Sequence, residues 1–118
     1  MARILVIDDD DEIRSMLERM LRSAGHEVVV AANGREGLEK YRANPADLVL
    51  TDIYMPVKEG LETIIELHRN FPDLPIIAMS GKPAGGTMLA MASRLGTVAI
   101  LQKPFSLEEL LRTVEKAL

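Results

Sequence analysis

Hydrophobic residues in this chain fall into short unbroken runs, separated by stretches in which they recur every three or four positions. The first run, Arg3-Ile4-Leu5-Val6-Ile7, predicts a strand and stops at Asp8-Asp9-Asp10-Asp11. Behind it Ile13, Met16, Leu17, Met20, Leu21 and Ala24 repeat at helical spacing up to Gly25, where a left-handed cap is expected. Glu27 to Ala31, around Val28-Val29-Val30, predicts a second strand. Asn33, with Glu36 three residues on, has the form of a capping box for a helix reaching about Ala43, which Asn44-Pro45 ends. The third strand, Leu48 to Leu50, runs out of apolar residues at Asp52, and the chain turns at Pro56, which cannot donate to a ladder.

The second half repeats the scheme. Leu61, Ile64, Ile65, His68 and Phe71 share one face of a helix whose exit is bracketed by Pro72 and Pro75, and Ile76 to Ser80 predicts a fourth buried strand. Gly81, Pro83, Gly85 and Gly86 precede a mainly apolar helix from about Thr87 to Leu95, whose first turn should be the least stable regular structure in the chain. Val98 to Leu101 predicts a fifth strand, ending in Gln102-Lys103-Pro104. Ser106 with Glu109 predicts a capping box for the last helix, with Leu107, Leu110, Leu111, Val114 and Leu118 on its apolar positions.

Five strands alternating with five helices, four of the strands without polar alternation, describe an α/β three-layer sandwich whose parallel sheet is covered on both faces. One domain over residues 1–118 is expected, with no linker or repeat. Right-handed crossovers favour the flavodoxin-like strand order 2-1-3-4-5. In that order strands one and three are neighbours, so Asp8, Asp9 and Asp52 meet, and Ser80 and Lys103 arrive on the next strand ends. Open α/β sheets bind their ligands beyond the carboxyl ends of the strands, which is where all five residues lie.

Composition narrows the chemistry. The 118 residues suffice for one core, and 47% hydrophobic with 27% charged residues is ordinary for a soluble globular chain. The absence of cysteine removes disulfides, thiolate metal sites and cysteine nucleophiles, and suits a cytoplasmic protein. Only a four-residue apolar run follows the amino terminus and no run approaches membrane-spanning length, so neither a signal peptide nor a membrane anchor is expected. A net charge of -4 and 3% aromatic residues argue against direct nucleic-acid binding. His26 and His68 are isolated and read as boundary residues, and the seven methionines read as core.

Carboxylates gathered about 4 Å apart repel by about 4 kcal/mol per pair at an effective dielectric near 20. Mg²⁺ is the natural counter-ion, because it takes hard oxygen ligands and keeps positions open for water and phosphate oxygens. Lys103 can pair with a phosphate oxygen, Ser80 offers a hydroxyl, and Asp52 can serve as a nucleophile, a set suited to phosphoryl transfer. A phosphate loop around Gly81-Lys82 is excluded, since Pro83 stands where Ser or Thr is required.

Ile7-Asp8-Asp9-Asp10, Leu50-Thr51-Asp52-Ile53-Tyr54-Met55-Pro56, Gly60, Met79-Ser80 and Lys103-Pro104-Phe105, in this order and each on its strand end, resemble the receiver domain of two-component response regulators. The resemblance covers the whole chain and implies a CheY-like phosphorylation switch. It makes Asp52 the acceptor of a phosphoryl group from a histidine kinase or phosphotransfer protein. Asp8, Asp9, Asp52 and the Tyr54 backbone carbonyl become Mg²⁺ ligands, and Ser80 and Lys103 the groups that bind the new phosphate. It also implies a rearrangement of the surface formed by the fourth helix, fifth strand and fifth helix, read by a downstream protein or output domain, with a homodimer left open. The only catalysis implied is of the domain's own phosphorylation and dephosphorylation.

Three features depart from the family's usual pattern. Ile100 stands where an aromatic residue commonly couples to the hydroxyl residue, Val57-Lys58-Glu59 alters the rim, and Tyr54 and Lys82 flank the pocket. Bulky Tyr54 is expected to slow attack by water on the phosphoryl group. Two other functions compete. A Mg²⁺-dependent aspartyl-phosphate hydrolase would want a second Asp at position 54, and a phosphate-independent interaction domain would have no use for the intact acidic set.

Overall fold

Among the described residues, every apolar run becomes a strand and every three-to-four-residue repeat becomes a helix laid across the sheet. In the computed structural model, which describes residues 1–53, 59–81 and 94–118, the order is β1 (Arg3–Ile7), α1 (Asp11–Ser23), β2 (Glu27–Ala31), α2 (Gly34–Ala43), β3 (Leu48–Asp52), α3 (Glu59–Asn70), β4 (Ile76–Ser80), β5 (Ala99–Gln102) and α4 (Leu107–Ala117). The helix expected over 87–95 lies almost entirely outside the described residues, as do Tyr54, Val57, Lys58, Lys82 and the glycine-rich stretch after Gly81. Four helices are therefore described where the sequence predicts five.

The sheet is parallel throughout, in the order β2-β1-β3-β4-β5. Alternate residues of each central strand feed opposite cores, as the period-two geometry of a strand requires. Leu5, Ile7, Val49 and Ile53 pack with Ile64 and Leu67 on one face. Ile4, Val6, Leu48 and Leu50 pack with Leu17, Leu21, Leu110 and Val114 on the other. Each of these fully buried side chains contributes about 1.5 to 3 kcal/mol by leaving water.

The ends of the elements follow local chemistry. Asp10 caps α1, its carboxylate accepting from the Glu12 and Ile13 N–H groups, and Gly25 turns the chain out at φ +91°. The Ser106–Glu109 capping box of α4 is complete. At α2 the expected box is only half formed. Asn33 accepts from the Glu36 N–H at 2.8 Å, while the Glu36 carboxylate reaches past it to the Ala32 N–H at 3.1 Å.

Two expectations shift by a residue or a face. β5 begins at Ala99, not Val98. The Val98 N–H does donate to the Ile76 carbonyl at 2.9 Å, but this is an edge strand and the Val98 side chain is 57% exposed. On α3 the buried stripe is Leu61, Ile64 and Leu67, so Ile65 and His68 fall on its border. His68 packs there against Gly96, whose φ of +100° and lack of a side chain leave room for the imidazole.

Candidate functional site

Register decides what meets at the carboxyl edge of the sheet. Ile7 of β1 lies opposite Thr51 of β3, and Asp52 opposite Met79 of β4, so Asp8 and Asp52 leave the sheet side by side. Two backbone bonds hold these ends in place. The Asp8 N–H donates to the Ala31 carbonyl at 3.1 Å, and the Ile53 N–H donates to the Met79 carbonyl at 3.0 Å.

Asp8 is fully buried and Asp52 nearly so, at 0% and 5% exposure, whereas Asp9 is exposed. One carboxylate oxygen from each lies within 4.8 Å of the others. Charge this concentrated needs cations. Lys103 supplies one, its Nζ donating to Asp8 Oδ2 at 2.9 Å and to Asp52 Oδ2 at 3.4 Å. Burial alone would depress the ammonium, but the hydrogen bond to Asp8 and the charges of Asp52 and Asp8 outweigh it, and the Lys103 pKa is raised above the ordinary lysine value. Asp8 also accepts from the Asp10 N–H through Oδ1, at 2.9 Å.

Ser80 is completely buried at the end of β4. Its carbonyl accepts from the Lys103 N–H at 2.6 Å, which ties the lysine's backbone to the strand beside the carboxylates. The Lys103–Pro104 peptide is cis. The structure thus brings together Asp8, Asp9, Asp52 and Lys103, with Ser80 one strand along. Tyr54, expected to lend its carbonyl, lies outside the described residues, and so do the rim residues Val57 and Lys58.

The donor set fits Mg²⁺. It consists of hard carboxylate oxygens, two of them on buried groups, at a place where the fold already holds one cation. Asp9 lies on its exposed side. A groove of about 450 Å³, lined by Ile13, Met16, Gly81, Lys103, Pro104 and Phe105, opens next to the lysine.

Three further residues support the site, two of which, Thr51 and Gly60, belong to the motifs that carry the family resemblance. Thr51 is fully buried directly before Asp52, its hydroxyl donating to the Asp52 carbonyl at 3.2 Å. Gly60 lets α3 approach the end of β3, since a Cβ there would stand 2.5 Å from the Asp52 carbonyl oxygen. Arg14 reaches back from α1 to the Asp8 carbonyl at 2.8 Å. An arginine three residues after Asp11, at helical pairing distance, was the one available hint of its role.

A doubly covered parallel sheet of this order, with a carboxylate trio at the β1–β3 edge and a lysine beyond β5, defines a flavodoxin-like domain with an acidic pocket. Comparison with known proteins makes the class particular. Residues 4–115 match the family model for the response regulator receiver domain, and the chain belongs to that family. The DNA-binding transcriptional regulator NtrC of Azospirillum brasilense is 40% identical over 117 residues, covering 99% of this chain and 24% of that protein. The response regulator MprA of Mycolicibacterium vanbaalenii is 38% identical over 110 residues, covering 93% of this chain and 47% of that protein. The chain thus spans about a quarter to a half of the length of these relatives. Among solved structures, the response regulator TrrA of Thermotoga maritima, in complex with Mg²⁺ and BeF, superimposes with a TM-score of 0.89 at 36% identity over the full length of both chains.

Proposed function

We propose that this receiver domain, spanning residues 1–118, is a phosphoacceptor switch in which Asp52 takes a phosphoryl group from a histidine kinase or phosphotransfer protein. One observation carries the reading: three carboxylates from two strand ends converge within 4.8 Å, and Lys103 bonds the two that are buried. Asp8, Asp9 and Asp52, with the Tyr54 carbonyl, would hold Mg²⁺, which when bound supplies positive charge to offset that of the phosphoryl oxygens.

The chain's own residues do the rest. An Asp52 carboxylate oxygen attacks phosphorus, the bond from phosphorus to the donor's imidazole nitrogen breaks with its electron pair on nitrogen, and an acyl phosphate remains on Asp52. Lys103 shifts its hydrogen bonds from Asp52 to the new phosphate oxygens, and the Ser80 hydroxyl donates to another. Strand β5, whose backbone is bonded to Ser80 through Lys103, carries that movement outward to α4 and the segment before β5, where a partner or output domain reads it. The transcriptional regulators among the relatives support a downstream output of that kind. The only reaction proposed for the domain is its own phosphorylation and dephosphorylation, and its proposed location is the cytoplasm.

Incubation with acetyl phosphate and Mg²⁺, followed by intact-mass spectrometry, tests this. Addition of one phosphoryl group, dependent on the metal and lost in Asp52→Asn, is the expected result. Rapid turnover of phosphoesters would indicate a hydrolase, and no modification would indicate a phosphate-independent interaction domain.

A further inference from the structure

Beyond the carboxylates and Lys103, Arg14 also reaches the acidic site. Its backbone N–H makes the first turn of α1 by donating to the Asp10 carbonyl at 2.9 Å. Its side chain then folds back toward the sheet. Nη1 donates to the Asp8 carbonyl oxygen at 2.8 Å, and Nη2 pairs with the Asp11 carboxylate. The side chain is only 18% exposed although it lies on the first turn of a surface helix. Its charge is felt as far as α2. The Glu36 carboxyl is held below its ordinary range chiefly by the Ala32 N–H against the opposing effect of burial, then by Lys40, and finally by Arg14.

This clamp acts on the residues from which the acidic site is built. Asp9 has an exposed side chain, so its place is set by the backbone of the 8–10 turn. That turn is closed from inside by the Asp10 N–H on Asp8 Oδ1, at 2.9 Å, and from outside by Arg14 on the Asp8 carbonyl, at 2.8 Å. A guanidinium suits the outer position because its planar fork satisfies two acceptors at once, one on the turn and one on the helix. A lysine has the charge but not the fork.

We propose that Arg14 is a positioning residue that sets the divalent-cation affinity of the site by locking the Asp8–Asp10 turn. The proposal rests on the reading that Asp8, Asp9 and Asp52 hold Mg²⁺. Two effects of Arg14 oppose each other. Its charge repels a bound cation, while its hydrogen bonds fix the ligands, and the proposal holds that the second dominates. Partners that orient metal ligands typically alter affinity tenfold to a hundredfold when lost, and a clamp on a ligand's backbone belongs at about the lower figure.

The test is a Mg²⁺ titration of the whole chain, followed by calorimetry and by the amide resonances of residues 8–10 and Ile53, with thermal stability recorded in the absence of metal. Wild type should bind saturably and Asp9→Asn should lose binding. Arg14→Lys and Arg14→Met should both weaken binding about tenfold, and Asp11→Asn, which removes only the second arm of the clamp, should weaken it less. A purely structural role would lower thermal stability and leave affinity unchanged, which would overturn the proposal. Wild-type affinity in Arg14→Lys, or tighter binding in Arg14→Met, would overturn it by showing that only the charge matters. Failure of wild type itself to bind Mg²⁺ would overturn the metal reading and this proposal together, and is told apart by needing no variant.

Discussion

At the exit of β3 the chain has no room to spare, while at the exit of β4 the described residues stand farther off. A Cβ at Gly60 would meet the Asp52 carbonyl oxygen at 2.5 Å and the Ile53 Cα at 2.6 Å, both backbone atoms that cannot give way. Among the described residues, a Cβ at Gly81 would meet only the far end of the Lys103 stem, at 3.7 Å. Burial shows the same contrast. β1 and β3 are interior strands, every residue of β3 being buried, whereas β5 is an edge strand whose Ala99 and Ile100 are half-buried and whose Gln102 is exposed. The carboxylates stand on rigid ground and the cation that faces them on yielding ground. A switch needs that division, because groups that bind the ion must be placed in advance while groups that respond must be free to shift.

The contrast is broken most severely by adding a methyl group at each glycine. Gly60→Ala should cost about 3 kcal/mol, the upper part of the usual overpacking range, because backbone must move. Gly81→Ala should fall within about 0.5 kcal/mol of wild type. Urea unfolding of both variants reads the difference, and equal effects would remove the distinction between the two sides.

Removing the shared cation comes next. Lys103→Met removes the cation that Asp8 and Asp52 share. Its cost should be about 2 kcal/mol, below the 3 to 5 typical of wholly buried pairs because the ammonium keeps some access to water. Added Mg²⁺ should restore much of that stability, as thermal unfolding with and without the metal would show.

The lysine's pH dependence is a finer test. Its pKa is raised in the folded chain, so its contribution is complete below the unfolded lysine value of about 10.4 and is lost as pH rises through the higher folded value. The stability gap between wild type and Lys103→Met should be level across neutral pH and shrink only in that alkaline window. A gap that closed near neutrality would contradict the pairing.

The smallest effect lies farthest from the lysine. The Glu36 carboxylate on the Ala32 N–H has a lowered pKa, so its contribution is present above the ordinary carboxylate range and fades as pH falls through the lowered value. Glu36→Gln should cost roughly a few tenths of a kcal/mol at neutral pH, as expected for a half-exposed group, measurable in paired urea titrations.

These contrasts also explain what could be seen in the sequence. Strand order and the convergence of Asp8, Asp9, Asp52 and Lys103 were legible because continuous apolar runs announce a buried parallel sheet and because the first, third and fifth runs lead into charged residues. Arg14 was not legible as a site residue, since a helix arginine looks ordinary until the tertiary fold brings it to the end of β1, and Gly60, legible as part of the family pattern, showed its physical role only where α3 meets the end of β3. The face of α3 differs in one place: Ile65 fits the helical period yet lies beside the buried stripe of Leu61, Ile64 and Leu67, while His68 sits at the boundary expected of it. Val98 satisfied the strand pattern by composition, and only its edge position shows why its side chain faces water.

Whether the rigidly placed carboxylates leave Asp52 as the one that is esterified can be read directly. Protein phosphorylated with acetyl phosphate and Mg²⁺ can be reduced with borohydride, which converts an acyl phosphate to an alcohol, and then mapped by peptide mass spectrometry. Homoserine at position 52 and nowhere else is the predicted outcome. Homoserine at position 8 or 9, or a phosphoryl group that resists reduction because it sits on a hydroxyl or an imidazole, would contradict the assignment.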